Sequence, residues 1–204
     1  MNRRDLLKMI TAATGVAFMG DVMAYVEFPS VPLKNTGFTK DDVAYMNEIG
    51  EIILPRTDTP GAKDADVGSM MAVLVADCYT PALQKTFRDG LVKLNETAKE
   101  KYNKAFLLLS DKEKLALLSE LDAQARDYNS DKGLRGVDTA RPNAWGPEEV
   151  SVVPHYFSLI KQLVLFCFFT SRVGGTQVLR YDPIPTRYDG NVPYKKGQGA
   201  WATS

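Results

Sequence analysis

The sequence has few of the side chains that hold metal ions or iron–sulfur clusters. It contains two cysteines, Cys78 and Cys167, and a single histidine, His155. A structural zinc site takes about four nitrogen or sulfur ligands, and an iron–sulfur cluster takes about four cysteine thiolates. Cysteine and histidine alone therefore cannot build either centre. The sequence also has no Gly-x-Gly-x-x-Gly segment after a strand and no glycine-rich phosphate loop, so we expect no cofactor or metal in this chain.

The sequence also lacks an excess of either charge. Lysine and arginine together number 25, and aspartate and glutamate also number 25. A chain with no net charge has no broad positive field to hold a polyanion. Nucleic-acid binding is therefore a poor candidate function. The hydrophobic share of 45% in 204 residues is enough for the core of one domain with short extensions.

Residues 1–24 have the form of an export signal. Arg3 and Arg4, followed by Asp-Leu-Leu-Lys, resemble the twin-arginine (Tat) motif, and a short apolar stretch follows. That stretch is too short for a membrane span. We expect cleavage after Ala24, and the alternative is that the segment is retained as an anchor. The alternative to an export signal is a fortuitous amphipathic helix. The Tat route carries folded proteins, often with a cofactor. Because this chain has no cofactor motif, its signal is expected to serve a bound partner in the periplasm.

Apolar residues recur at helical spacing along most of the remaining chain. Thr39 and Ser110 are expected to cap helices, and Pro55 to end the first one. The apolar positions of the fourth predicted helix are Leu115, Leu117, Leu118 and Leu121. The predicted helices cover residues 40–54, 69–79, 81–102, 111–126 and 150–170, with a short one at 175–180.

The segment 150–170 is apolar nearly all round, which predicts a central, buried helix. Lys161 and Gln162 argue against a membrane span there, and no permanent span is expected. No period-2 strand pattern competes, so the predicted fold is a single all-α domain of about five helices. It comprises residues 39–180, after a linker at 25–38 and before an extended tail at 181–204. A long loop at 129–149 is expected to have a role such as packing on a partner.

Two segments carry a resemblance to a known family. In the first, residues 49–62, an apolar helix ends at Leu-Pro and an Asp-Thr-Pro-Gly-Ala turn follows. The second block holds Phe169-Thr170-Ser171, Gly174, Leu179-Arg180-Tyr181 and Pro185. Together with the signal, and across residues 40–190, the chain resembles the gluconate 2-dehydrogenase subunit 3 family.

The resemblance implies a non-catalytic small subunit of a periplasmic or membrane-associated sugar or polyol dehydrogenase. In that family the large partner is a flavoprotein of the glucose–methanol–choline (GMC) type, which holds FAD. A cytochrome c subunit often accepts the electrons. The small subunit carries the signal to the Tat translocase, and it supports folding of the large subunit as a chaperone. The resemblance does not identify the substrate.

The Asp-Thr-Pro-Gly-Ala turn supplies three candidate partner-binding residues, Asp58, Pro60 and Gly61. For Asp58 the alternative is an Asx-turn, in which the side chain satisfies its own backbone. Pro60 and Gly61 are expected to set backbone geometry, with glycine supplying a conformation that other residues resist.

The C-terminal tail is rich in tyrosine, tryptophan, proline and glycine. Aromatic residues on an extended segment are typical of interface anchors, although disorder is the alternative. The residues that we expect to contact a partner are Arg180, Tyr181, Arg187, Tyr188 and Trp201.

The cysteines and the histidine leave alternatives open. Cys78 and Cys167 can pair in an oxidising compartment, one can bridge to the large subunit, or both can stay free. His155 is expected to be a packed or capping residue rather than a base, because no nucleophile or carboxylate is identifiable near it. Two other functions remain: a stand-alone periplasmic binding or scaffold module, and a small periplasmic enzyme, which would need clustered catalytic residues.

Overall fold

The computed structural model describes residues 33–134, 152–182, 184, 190–193 and 195–202. Its architecture is all-α, which confirms the predicted fold class. The predicted signal at 1–24, with Arg3 and Arg4, lies outside the described residues, as do Arg187 and Tyr188. Five α-helices occur in the described part of the chain: α1 Lys40–Ile53, α2 Val67–Cys78, α3 Pro81–Tyr102, α4 Asp111–Asp131 and α5 Tyr156–Thr170.

Helices α1 and α4 begin at the caps that the sequence predicts. The Thr39 hydroxyl accepts from the Asp42 backbone N–H at 3.2 Å, and the Asp42 carboxylate accepts from the Thr39 N–H at 2.8 Å. Ser110 and Glu113 make the same reciprocal pair at the start of α4. Each pair satisfies two backbone donors that a helix otherwise leaves free, so both starting points are set locally.

Helix α5 is the centre of the fold. It contacts each of the other four helices, which confirms its predicted position. Its buried side chains include large apolar residues on several sides: Phe157, Leu159, Ile160, Leu163, Val164 and Phe168. No helix in the described ranges is long and apolar enough to cross a membrane.

The start of α5 corrects the sequence prediction. The helix begins at Tyr156 rather than near residue 150, and residues 152–155 are not helical. Pro154 disfavours a helical conformation for the residue before it. His155 is the N-cap, and its Nδ1 accepts from the Phe157 N–H at 3.3 Å. The predicted capping role of the histidine is therefore confirmed.

The end of α4 is a second correction, because the helix continues to Asp131 instead of ending near 126. Asn129, predicted to begin a loop, is a buried residue of this last turn. Its Oδ1 accepts from the His155 N–H at 3.0 Å, and its Nδ2 donates to the Ser158 hydroxyl at 2.8 Å. One amide therefore joins the end of α4 to the start of α5.

Three shorter elements complete the described chain. Two are 3₁₀ turns, Ala62–Ala65 and Phe106–Leu108, and the third is a π-helix, Gly174–Val178, which takes the place of the short helix predicted at 175–180. Helix α2 begins at Val67, two residues before its predicted start. The π-helix packs on α5. The chain that continues from it into the predicted tail therefore starts beside the central helix.

Candidate partner-binding surface

The turn between α1 and α2 is anchored by the carboxylate of Glu51. One oxygen accepts from the Arg56 backbone N–H at 2.8 Å, and the other accepts from the Lys63 N–H at 2.9 Å. The Ala62 N–H donates to the Leu54 carbonyl at 2.9 Å. Because one side chain bonds to both arms of the turn, the loop between them projects from the helices in a fixed conformation.

A second carboxylate, that of Asp64, closes the same turn. It accepts from the Gly61 N–H at 2.7 Å and forms an ion pair with the Arg56 guanidinium. The hydrogen bond from Arg56 is the main cause that holds the pKa of Asp64 below its usual value. The turn is thus a preformed surface feature, with its backbone donors engaged internally.

Gly61 is needed for space rather than for an unusual backbone conformation, which corrects the sequence interpretation. Its φ of −96° and ψ of −177° are ordinary extended values. A Cβ at this position would lie 2.5 Å from the Arg56 nitrogen and 2.7 Å from both carboxylate oxygens of Glu51. The glycine therefore allows Glu51 to bond to both arms of the turn.

The Asx-turn interpretation of Asp58 is wrong. Asp58 is exposed and makes no hydrogen bond or ion pair with any residue that the structure describes. The residue two positions on is Pro60, which has no N–H to donate, so the usual Asx-turn bond cannot form. The loop tip is instead closed by the Thr57 N–H, which donates to the Thr59 carbonyl at 3.0 Å. The Asp58 carboxylate is free to meet a partner.

The C-terminal tail returns to the helical body at Arg180. The Arg180 N–H donates to the Ala200 carbonyl and the Ala202 N–H donates to the Arg180 carbonyl, both at 2.8 Å. The Arg180 guanidinium lies 3.8 Å from the centroid of the Trp201 ring, close enough for a cation–π contact. We call this arrangement of Arg180 with residues 200–202 the tail clasp. Trp201 is still half exposed, as is Tyr181.

Further exposed aromatic residues occur near the end of α5, just before the segment that forms the tail clasp. Phe166 is about as exposed as Trp201, and Phe169 is somewhat less so. Aromatic residues and arginine are the types that dominate binding energy at protein interfaces. The structure thus leaves several potential anchors uncovered in the stretch of chain from α5 to the tail.

The remaining candidate residues are the two cysteines and His155. Cys78 is exposed and Cys167 is buried, and both are free thiols, so no disulfide joins them. Burial raises the pKa of Cys167 to about 12. Burial, together with the charge of Lys93, lowers the pKa of His155. Among the described residues, no group of three or more histidine, cysteine or acidic side chains is placed to hold a metal ion.

The comparison with protein families decides the class. A family model described as gluconate 2-dehydrogenase subunit 3 matches residues 40–186. The chain belongs to the gluconate 2-dehydrogenase subunit 3 family. The match to this family begins at the first residue of α1, includes the five described helices and the α1–α2 turn, and extends past Arg180 and Tyr181. No curated protein and no solved structure matches the chain. As a member of the gluconate 2-dehydrogenase subunit 3 family, it is related to one component of a dehydrogenase complex.

Proposed function

We propose that this chain is the non-catalytic small subunit of a periplasmic, FAD-dependent dehydrogenase of sugars or polyols. Membership of the gluconate 2-dehydrogenase subunit 3 family is the observation that carries the proposal. In the complex, a GMC-type flavoprotein holds FAD and oxidises the substrate, and a cytochrome c subunit receives the electrons. The complex resides in the periplasm, at the inner membrane where its other subunits place it.

The contribution of this chain is to bind and stabilise the large subunit. Exposed aromatic residues suit it to that task, because burying apolar surface is the main driving force for stable association. The α1–α2 turn suits it as well, because its conformation is fixed before the partner binds. A permanent pairing of this kind is expected to bury about 2,000 Å² or more. Asp58, Tyr181 and Trp201 are exposed and are proposed to contact the flavoprotein, with Arg180 holding Trp201 in place.

Export is the second proposed contribution. Arg3 and Arg4 form the twin-arginine pair, and a folded flavoprotein bound to this chain would cross the membrane with it. The large subunit then needs no signal of its own, and its flavin is inserted in the cytoplasm before transport.

Co-expression of the tagged chain with its flavoprotein tests this function. The double substitution Arg3→Lys with Arg4→Lys should leave the flavoprotein in the cytoplasm, because the export pair is lost while the helical body is unchanged. Lys8→Arg, which alters another basic residue of the same segment, should export normally. If the flavoprotein reaches the periplasm equally with all three chains, this chain is not its export carrier.

A further inference from the structure

A groove lies where the end of α1, the middle of α4 and the start of α5 meet. Its volume is about 370 Å³, near the lower end of the range for ligand pockets, about 300–1,000 Å³. The apolar side chains that line it come from all three helices: Ile52, Ile53, Leu115, Leu118 and Phe157.

Leu115 is an apolar residue of α4 that lies outside the core. The core face of α4 consists of Leu117, Leu118, Leu121 and Ala125, all buried, whereas Leu115 is 55% exposed. Ser119, Asp122 and Arg126 follow Leu115 at helical spacing and line the same groove. A second face of α4 therefore presents one leucine and a set of polar groups to the outside.

The charged groups that line the groove are unbalanced. The carboxylate of Asp122 accepts a hydrogen bond from the Lys161 ammonium at 2.6 Å and lies 3.8 Å from Arg126 Nε. One carboxylate thus faces two cations. The side chain of Arg126 is 74% exposed, and it donates no hydrogen bond to the described residues. The groove therefore combines an apolar floor with a surplus positive charge at its edge.

We propose that this groove docks a segment of the flavoprotein large subunit in which an aliphatic or aromatic side chain stands beside a carboxylate. The apolar side chain covers Leu115 and the partly exposed Ile52 and Ile53. The carboxylate accepts two hydrogen bonds from the Arg126 guanidinium, the pairing that arginine geometry favours. The inference rests on the proposed function: the groove is a second contact region for the flavoprotein, in addition to the tail clasp.

Two pairs of matched variants test the groove. Leu115→Gln removes the exposed leucine, and Val92→Gln alters a similarly exposed apolar residue on α3 that does not line the groove. Arg126→Glu reverses a charge that lies four residues from an aspartate, and Lys85→Glu does the same at the Lys85–Asp89 pair on α3. All four sites are on the surface, so the helical fold should be kept, as thermal unfolding would verify.

The probe is the flavoprotein that co-purifies with the tagged wild-type chain, separated and then titrated back. Leu115→Gln and Arg126→Glu should each raise the dissociation constant about tenfold or more, with the controls within about twofold. Higher salt should weaken wild-type binding more than it weakens binding of the Arg126→Gln chain. Equal affinities for groove and control variants would overturn the inference while leaving the proposed function intact. Failure of the wild-type chain to bind any flavoprotein would remove the proposed function itself.

Cross-linking from inside the groove identifies the occupant. Ser119→Cys, in a Cys78→Ser background, is labelled with a benzophenone maleimide and irradiated in the assembled complex. The expected product joins position 119 to a flavoprotein peptide in which an apolar residue neighbours an aspartate or glutamate. A cross-link only to this chain, within one copy or between two, would overturn the inference, and so would the absence of any cross-linked product.

Discussion

The ammonium group of Lys114 is buried against the carboxylate of Glu48, and this ion pair joins α4 to α1. Only 7% of the Lys114 side chain is exposed. It lies in the first turn of α4, where the helix dipole disfavours a cation. Glu48 also pairs with Lys63, next to the α1–α2 turn. One carboxylate therefore compensates a buried positive charge and connects two helices with the candidate partner-binding turn.

Replacing Glu48 by glutamine should destabilise the fold by about 3 kcal/mol, because it leaves a buried ammonium group with only the exposed carboxylate of Asp111, 3.8 Å away, as a counter-ion. Urea unfolding, followed by the helical circular dichroism signal, measures the change. Asp89→Asn breaks the exposed pair of Asp89 with Lys85 and should cost about 0.5 kcal/mol or less. Similar losses for the two variants would contradict this role of Glu48.

The same ion pair should make stability depend on acid pH. Burial opposes ionisation of Glu48, but the hydrogen bonds from Lys114 and Lys63 outweigh it and hold the pKa of Glu48 below its usual 4.5. The ionised carboxylate therefore stabilises the folded state fully above that pH, and its contribution is lost as the pH falls through the lowered pKa. The stability difference between wild type and Glu48→Gln should shrink there. A constant difference down to the acid transition would contradict the assignment.

Gly61→Ala should destabilise the chain by about 1–3 kcal/mol, the usual cost of overpacking. The new methyl group would overlap the Arg56 nitrogen and the Glu51 carboxylate, which bonds to both arms of the turn. Gly175→Ala is the matched control, since the nearest atom to its Cβ is 4.0 Å away. Thermal unfolding of both variants measures the effect. A Gly61→Ala chain as stable as the Gly175→Ala chain would show that the turn can relax.

The two thiols should react at very different rates with a maleimide in the reduced, isolated chain. Cys78 is exposed, whereas Cys167 is buried and its pKa is raised to about 12, so little thiolate forms. Mass spectrometry should find one label per native chain, on Cys78, and two after unfolding. Rapid labelling of Cys167 in the native chain would contradict the packing around α5. Protection of Cys78 in the complex would favour the alternative in which one of the two cysteines bridges to the large subunit.

Trp201→Ala should weaken binding of the flavoprotein by about 2 kcal/mol or more if the tail clasp is an interface anchor. The helical core should keep its stability, because Trp201 packs on Arg180 and remains half exposed. Leu108→Ala removes another exposed apolar side chain, in the 3₁₀ turn after α3, and is the control. Unchanged affinity for Trp201→Ala would exclude the tail clasp from the interface.

Local signals determined most of the helical architecture. Helix α3 begins at Pro81 and ends at Tyr102 as predicted. The signals that predict it, a proline at the first position and periodic apolar residues, all lie within the helix. The end of α4 could not be read in this way. Asn129 is a poor helix residue by propensity, and its place in the last turn depends on its bonds to His155 and Ser158, on another helix.

The candidate site was less accessible to sequence reasoning. The Asp-Thr-Pro-Gly-Ala turn indicated that Gly61 matters. The residue whose carboxylate leaves no room for a side chain there is Glu51, ten residues earlier. Leu115 followed the apolar pattern of α4 like its neighbours, although it faces outward. Whether a leucine at the edge of an apolar stripe packs inside or outside depends on how neighbouring helices cross, which periodicity alone does not determine.

Affinity purification of the tagged chain from the cells that make it tests whether the chain is an accessory subunit. An accessory subunit of an FAD-dependent dehydrogenase should be recovered with a second, larger polypeptide that carries the flavin absorbance. The separated small chain should be colourless and free of bound metal. Recovery of the chain alone, with a stoichiometric flavin, haem or metal of its own, would show that it is a redox protein in its own right and not an accessory subunit.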